Sequence, residues 1–527
     1  MMKVLVSDNL SPKGIEILKQ AGLKVVFKTG LKPEELEKEI KDCDGLVIRS
    51  ATKVTPKIIG AAGKLKVIGR AGIGLDNVDI PAASKKGIIV MNTPGGNVVT
   101  TAEHTITMLL ALSRNIPQAT ASMKAGKWEK KKFTGREVFN KTLGIIGIGR
   151  IGSIVADRAR GLKMHVIAYD PYIRPETAEK MGVGLVSLDD LYTRSDYISI
   201  HVPLTKDTKE LINRESFAKM KDGVMLINCS RGGIVDEGAL HEAMQSGKVA
   251  GAALDVFAQE PPPESYPLFA MDKFICTPHL GAATEEAQEN VAVAVANQLV
   301  DFLKNGNISN AVNFPSVSSD VLAGIQPYLT LVEKMGSFQM QIAKGGIQEV
   351  TIEYVGDVAN MDTRPITIAM LKGLFAPILK HDVNFVNAPI IAKERGVKVT
   401  ELKSTTTEDF TNLITLRVKT PQEENALSGT IFGKKELRLV RINTFRLEAV
   451  LEGHMLFIYN IDEPGVIGAI GMTMGKAGLN IARMHVGQET GPGRNVILLN
   501  TNAPVSARVL KEMLKIPQVV SAQPLEF

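Results

Sequence analysis

Short apolar runs recur through the first half of the chain, each followed by a stretch with helical spacing. Lys3–Val6, Lys24–Phe27, Gly45–Ile48 and 66–68 read as strands, with helices over Pro12–Gln20 and 33–40. A second series follows at 143–146, 164–169, 197–201, Val224–Asn228, 251–255 and 274–277. Runs so brief and so continuously apolar suit strands buried on both faces of a parallel sheet, and their alternation with helices predicts doubly wound α/β units. From about Val98 a long helix rich in Thr, Met, Leu and Ala leads from the first series to the second. A helix over 285–303, followed by Asn305-Gly306-Asn307, has the length to cross back. The expected catalytic unit is two Rossmann-like lobes with a cleft between them: 1–97 plus 286–312, and 98–285.

Beyond residue 313 the pattern changes. A helix is expected over 327–343, and apolar side chains alternate at Val350, Ile352, Tyr354 and at Ile414, Leu416, Val418. That two-residue period predicts strands with one buried face, hence an α+β unit over 313–452, in which no catalytic constellation stands out. The remainder, 453–527, reads strand 455–459, helix 464–477, strand 481–486, a Gly491-Pro492-Gly493 turn, strand 495–500, helix 505–514, strand 519–524. This βαββαβ order is ferredoxin-like. Four units accord with 527 residues at about 150 per domain.

Composition removes several function classes. Hydrophobic residues make up 44% and charged residues 22%, and no apolar run is long enough to cross a bilayer, so no membrane partner is expected. The opening strand is followed by Ser7-Asp8 and lacks the length of a signal peptide, which makes the cytoplasm the expected location. Cys43, Cys229 and Cys276 show no CxxC spacing, and neither a disulfide framework nor a metal site is expected. The net charge of +6 is dispersed apart from Lys130-Lys131-Lys132, with no basic stripe carrying aromatics, so nucleic acid is not an expected partner.

The candidate chemistry begins at Gly147-x-Gly149-Arg150-Ile151-Gly152, which ends a strand and opens a helix. The first glycine permits the turn, the second admits a pyrophosphate to the backbone, and the third lets helix and strand pack closely, with free N–H groups aimed at the anion. The next strand ends in Asp170, 18 residues past Gly152, where a carboxylate accepts the ribose hydroxyls and repels a 2′-phosphate. NAD is therefore the expected cofactor. Oxidising a secondary alcohol beside a carboxylate also needs a base and a cation. Asn228-Cys229-Ser230-Arg231-Gly232-Gly233 follows an apolar strand and presents Arg231 as a carboxylate clamp. Thr277-Pro278-His279-Leu280-Gly281-Ala282 presents a histidine in the same way, and Glu260, beside Pro261-Pro262-Pro263, stands where it could reach His279.

These segments, with Asp255-Val-Phe-Ala-Gln-Glu260-Pro, resemble the D-isomer-specific 2-hydroxyacid dehydrogenases; 47–54, 69–79, Gly126-Lys-Trp128 and the two C-terminal units are similar to the long-form members. The resemblance implies Arg231, Glu260 and His279 as catalytic residues. It implies NAD contacts at Arg150, Ile151, Asp170, Val202, Cys229, Ser230, Arg231, Asp255, His279, Leu280, Gly281 and Ala282. It implies oxidation of 3-phospho-D-glycerate, whose two anionic ends call for further cations; Arg49 and Arg70, with Ser50 and Gly72, are the substrate-binding candidates. Where the family carries a basic segment reaching a neighbouring subunit, Lys130–Lys132 stands here with a lysine in place of an arginine. The last unit resembles ACT domains, which pair and bind an amino acid at the joint. L-serine is the implied effector, Asn460, Asp462 and Asn480 are its candidate ligands, and a homo-oligomer, dimer or tetramer, is the implied assembly. Some family members carry His and Asn where Asn460 and Asp462 stand. Two rival readings are a reductase of glyoxylate or hydroxypyruvate and an NAD-sensing binding protein without catalysis. The intact Arg231, Glu260 and His279 set argues against the second.

Overall fold

The apolar runs pair as parallel strands. A computed structural model describes residues 1–315, 319–380, 383–406, 409–433, 435–489 and 493–527; Gly491 and Pro492 of the expected turn lie outside the described residues. In the first sheet the spatial order is Lys24–Phe27, Lys3–Val6, Gly45–Ile48, Val67–Arg70, Ile89–Asn92. In the second it is Phe274–Cys276, Val249–Leu254, Val224–Asn228, Tyr197–Ile200, Thr142–Ile146, His165–Tyr169, Gly184–Leu185. All pairings within both sheets are parallel. The central strands are buried on both faces, which is why they read as unbroken apolar runs. Each sheet reverses its strand order at one point, the second between Thr142–Ile146 and Tyr197–Ile200, and ligands of open sheets bind in the crevice beyond the strand ends there.

The crossing back to the first lobe is made by Glu285–Asn305. Its start is capped by Thr284, whose hydroxyl accepts the Ala287 N–H at 3.2 Å, worth about 1 kcal/mol. Gly306, at φ +76°, ends it. Ala292, Val295, Ala296 and Leu299 share one core with Val4, Val6, Val67 and Met91 of the first sheet. The long helix expected from Val98 is instead two. Asn115 adopts a left-handed conformation at φ +54° after Val98–Arg114, and Ile116–Lys124 starts afresh with Pro117 in its first turn. A proline cannot continue the preceding hydrogen-bond ladder, and asparagine tolerates the positive φ that the break demands.

The remaining strands form one mixed sheet of ten. Its order is Lys398–Ser404, Glu349–Gly356, Asn412–Lys419, Glu424–Phe432, Glu436–Ile442, Phe445–Ala449, Ile481–Gln488, Arg494–Thr501, His454–Ile461, Val519–Glu526. Glu349–Gly356 alternates buried and half-buried positions as its period requires, placing Val350, Ile352 and Tyr354 under helices Ser319–Ile342 and Arg364–Leu379. Those helices cross so closely that a Cβ on Gly373 would lie 1.9 Å from the Glu333 carbonyl oxygen. The last four strands and helices Val466–Lys476 and Ala507–Met513 make the expected ferredoxin-like unit. It joins the preceding strands through the Arg446–Gln488 pair.

Candidate active site

The glycine-rich turn is held as a cradle. Gly147 (φ +89°) donates its N–H to the Tyr169 carbonyl at 2.9 Å, and a Cβ there would lie 2.7 Å from the His201 oxygen and from Val202 Cγ1. A Cβ on Gly152 would lie 2.2 Å from the Gly147 oxygen, so helix Arg150–Gly161 packs against the turn only with glycine at that position. Gly149 is different: a Cβ there would meet nothing within 4 Å. Its open side and an N-cap without a side-chain hydrogen bond leave the helix start free for a pyrophosphate. Asp170 stands at the end of the next strand. Its carboxylate accepts the Ile148 N–H at 3.0 Å and the Tyr172 N–H at 2.9 Å, which fixes the acid against the cradle. These residues fit a dinucleotide. His201, beneath the turn, lies 2.8 Å from Ser199 Oγ, and burial pulls its pKa down to about 4, so it sits neutral beneath the cofactor cradle.

On the same sheet the buried Asn228 shapes the next turn. Its Oδ1 accepts the Ser230 N–H at 3.0 Å and hydroxyl at 2.7 Å, and its amide donates to the Arg231 carbonyl at 2.9 Å. Cys229 is buried inside this turn, where desolvation and then Asp255 push its thiol up to about 12. The Arg231 guanidinium projects outward, donating through Nη1 to the Ser230 carbonyl at 2.7 Å and through Nε to Asp76 of the other lobe at 3.0 Å. A Cβ on Gly74 would lie 2.1 Å from Arg231 Nη2, so glycine leaves the guanidinium its space.

The first lobe brings Arg49 and Arg70 to its strand ends. Asp8 accepts the Arg49 N–H at 2.5 Å, and the Arg49 guanidinium donates to the Asn9 carbonyl at 3.0 Å. Ser50 follows, exposed. Arg70 curls over Gly72, where φ is +144° and a Cβ would lie 1.8 Å from Arg70 Nη1. Its Nε is buried without a hydrogen-bond partner. Burial, followed by the positive charges of Arg231 and Arg49, pulls Arg70 down to about 10. The three arginines therefore share one electrostatic neighbourhood across the cleft.

His279 sits on the turn after Phe274–Cys276 at φ +56°. Its Nδ1 lies 2.8 Å from Glu260 Oε2, whose other oxygen accepts the Phe257 N–H at 3.1 Å. A carboxylate can only accept, so Nδ1 carries a proton, and in the neutral ring Nε2 of this half-exposed side chain is the acceptor. Asp255 is fully buried and accepts from the Thr277 hydroxyl at 2.5 Å, the Leu280 N–H at 2.7 Å and the Gly281 N–H at 2.8 Å. Burial pushes this acid up, but His104, Thr277 and the Leu280 amide outweigh it and hold it below the usual carboxylate range. Ala282 follows on the same turn, half-buried.

The expected catalytic and cofactor residues thus lie at strand ends of the second sheet, and Arg49 and Arg70 at those of the first. The three expected effector residues do not meet within one chain. Asn460 ends a strand that runs parallel to Ile481–Gln488, with Arg494–Thr501 antiparallel between them, and Asn480 precedes the start of that partner. They are separated by the length of the sheet, about 20 Å. Asn460 is buried with Oδ1 unpartnered, whereas Asp462 and Asn480 are exposed. Sequence reasoning missed Asp76, His104 and Asp8, though a polar residue directly after a buried strand was the available signal at Asp8.

Residues 106–281 match the family model described as D-isomer specific 2-hydroxyacid dehydrogenase, NAD binding domain. The chain is accordingly an NAD-dependent oxidoreductase of the hydroxyacid dehydrogenase class. Residues 324–443 match the D-3-phosphoglycerate dehydrogenase intervening domain, and 454–518 the ACT domain. The chain is 45% identical over its whole length to the whole D-3-phosphoglycerate dehydrogenase of Archaeoglobus fulgidus, and 40% identical, again over 100% of both chains, to that of Bacillus subtilis. Among solved structures, an Aquifex aeolicus D-lactate dehydrogenase complexed with NAD and lactic acid matches 60% of this chain and 100% of its own at 32% identity and TM-score 0.53. A Staphylococcus aureus NAD-dependent formate dehydrogenase matches the same shares at 30% and 0.54. With full-length relatives at this identity, the chain belongs to the D-3-phosphoglycerate dehydrogenase family.

Proposed function

We propose that the chain oxidises 3-phospho-D-glycerate to 3-phosphooxypyruvate, the entry to phosphorylated L-serine synthesis, in the cytoplasm and as a homo-oligomer. The catalytic unit is 1–97 plus 286–312 with 98–285, followed by units 313–452 and 453–527. His279 Nε2 takes the C2 hydroxyl proton while Glu260 holds Nδ1–H, so the ring keeps one orientation and one tautomer. Bound NAD supplies the acceptor for the C2 hydride. Arg231 clamps the carboxylate, and Arg49 and Arg70 hold the phosphate. The observation that carries the substrate reading is the gathering of three arginines, more positive charge than a lone carboxylate requires. The test is turnover of 3-phospho-D-glycerate against D-glycerate with NAD. A loss of at least about 100-fold in kcat/KM without the phosphate is expected, since hydrogen bonds to a charged group contribute about 1.5–3 kcal/mol each; equal turnover would refute the phosphate site.

Cofactor choice rests on Asp170. Asp170→Ala should weaken NAD about 10- to 100-fold and narrow its advantage over NADP, because the change removes a charge-assisted acceptor and a repelling charge together. An unchanged NAD/NADP ratio of kcat/KM would place the ribose elsewhere.

L-serine is the proposed effector, bound where Asn460 and Asp462 of one copy come against Asn480 of another, since a single chain keeps them a sheet length apart. Asp462→Ala should abolish inhibition by L-serine and leave uninhibited turnover within about twofold, because effector and active site communicate only by a coupling free energy. Equal inhibition in the variant and the parent would remove Asp462 from the site.

A further inference from the structure

The His279 turn is strained, and what keeps it in place reaches beyond its own lobe sheet. A histidine at φ +56° lies in the left-handed region, which is strained for an L-residue and persists where neighbouring bonds over-determine it. The bonds converge on Asp255. Its carbonyl accepts the His279 N–H at 3.0 Å, and its carboxylate accepts the two following amides, Leu280 and Gly281. Asp255 thus grips three consecutive N–H groups of the catalytic turn.

A buried carboxylate with that duty needs a donor behind it. His104, on helix Val98–Arg114, brings Nε2 to 3.3 Å from Asp255 Oδ1 and to 3.1 Å from Thr277 Oγ1. The Thr277 hydroxyl spends its proton on Asp255 Oδ1, so its oxygen accepts, and so does the carboxylate. Only a proton on His104 Nε2 satisfies both. The helix meets the turn along one face: a Cβ on Gly281 would touch Thr101 Cγ2 at 3.5 Å, and Thr100 Oγ1 lies 3.5 Å from Thr284 Oγ1. The helix also begins where the chain leaves the first lobe, just after Pro94, whose carbonyl accepts from Arg150 Nη1 at 3.0 Å.

We propose that His104 is a positioning residue for the dehydrogenase reaction: its Nε2–H anchors the Asp255–Thr277 pair that holds His279 in its strained backbone conformation. Its ring bonds to Asp255 and Thr277, and it acts through Asp255. The inference rests on His279 as the base proposed above.

The test compares His104→Leu, which deletes the donor, with His104→Gln, whose side-chain amide can restore one. With 3-phospho-D-glycerate, NAD and its C2-deuterated form, His104→Leu should lower kcat about 10- to 100-fold, the cost typical of removing an outer-shell orienting hydrogen bond. Both KM values should stay within about twofold. The primary deuterium isotope effect on kcat should rise, because a displaced base slows the chemical step itself. His104→Gln should recover most of kcat and return the isotope effect toward the parent. A purely structural role for His104 would lower the active fraction, counted by NADH titration, and leave the isotope effect unmoved; that result overturns the proposal, as does parental kcat in His104→Leu. Should His104→Leu fail to fold, Thr277→Val carries the same test, with parental kcat and isotope effect again overturning it. An active His279→Ala would instead defeat the underlying assignment of the base, so the two failures are distinguishable.

Discussion

His279→Ala is expected to lower kcat by about 10²- to 10⁴-fold while NADH binding, followed by fluorescence titration, changes by no more than a few-fold. The expectation follows from the division of labour in the structure. The proposed dinucleotide cradle is built from Gly147, Gly149, Gly152 and Asp170, none of which depends on the imidazole ring. Among the described residues the ring bonds to Glu260, which leaves Nε2 for the substrate. Its removal takes away a proton acceptor and no packing of consequence, since the side chain is half-exposed. Alanine carries no fold-wide penalty there, so turnover close to the parent's would dismiss His279 as the base. Loss of NADH binding equal to the loss of kcat would show the residue to serve the cofactor instead.

Arg231→Lys is expected to lower kcat/KM for 3-phospho-D-glycerate about 100-fold, and Arg231→Ala about 1000-fold. Lysine keeps the charge but not the planar fork, and a carboxylate held by two parallel N–H groups loses roughly 2–3 kcal/mol with it. Alanine also leaves the substrate carboxylate without its counter-charge, at about 2–5 kcal/mol. The structure adds a second consequence. Asp76, which accepts the Nε–H hydrogen bond in the protein alone, would lose its Arg231 counter-charge in the alanine variant, and would then repel the incoming carboxylate. Steady-state kinetics of both variants measure this; a lysine variant as active as the parent would mean that point charge alone suffices and that the fork is not used.

Most of the catalytic unit was legible in the chain because its signals are local. A run such as Gly45–Ile48 is apolar throughout since both its faces are covered, and a glycine triplet after such a run can be read without knowing the partner strands. The break at Asn115 was not legible: a helical stretch continues on both sides, and the left-handed residue is one position among twenty-seven helical and linking residues, 98–124. The strands Glu424–Phe432 and Glu436–Ile442 also escaped, since small and polar residues interrupt their alternation and register shifts blur it further, as did Phe445–Ala449, which alternates strictly but over only 5 residues.

By itself the sequence determined the parallel α/β character of the first 280 residues or so, the glycine turn between strand and helix, the placing of Asp170, Arg231 and His279 at strand ends and of Glu260 in the loop after one, and the βαββαβ order of the last unit. Each of these depends on residues within a few turns or one strand of each other, where periodicity and turn chemistry carry the information. Only the tertiary structure decided that Asp76 meets Arg231 across 155 positions, that His104 meets Thr277 across 173, that Arg70 is half-buried within the electrostatic reach of two other arginines, and that Asn480 stands at the far end of the sheet from Asn460. Those contacts are fixed by the order in which strands assemble and by which helix crosses back over which sheet. No local pattern encodes them, because the free energy that selects them belongs to the packing of whole elements and not to any segment alone.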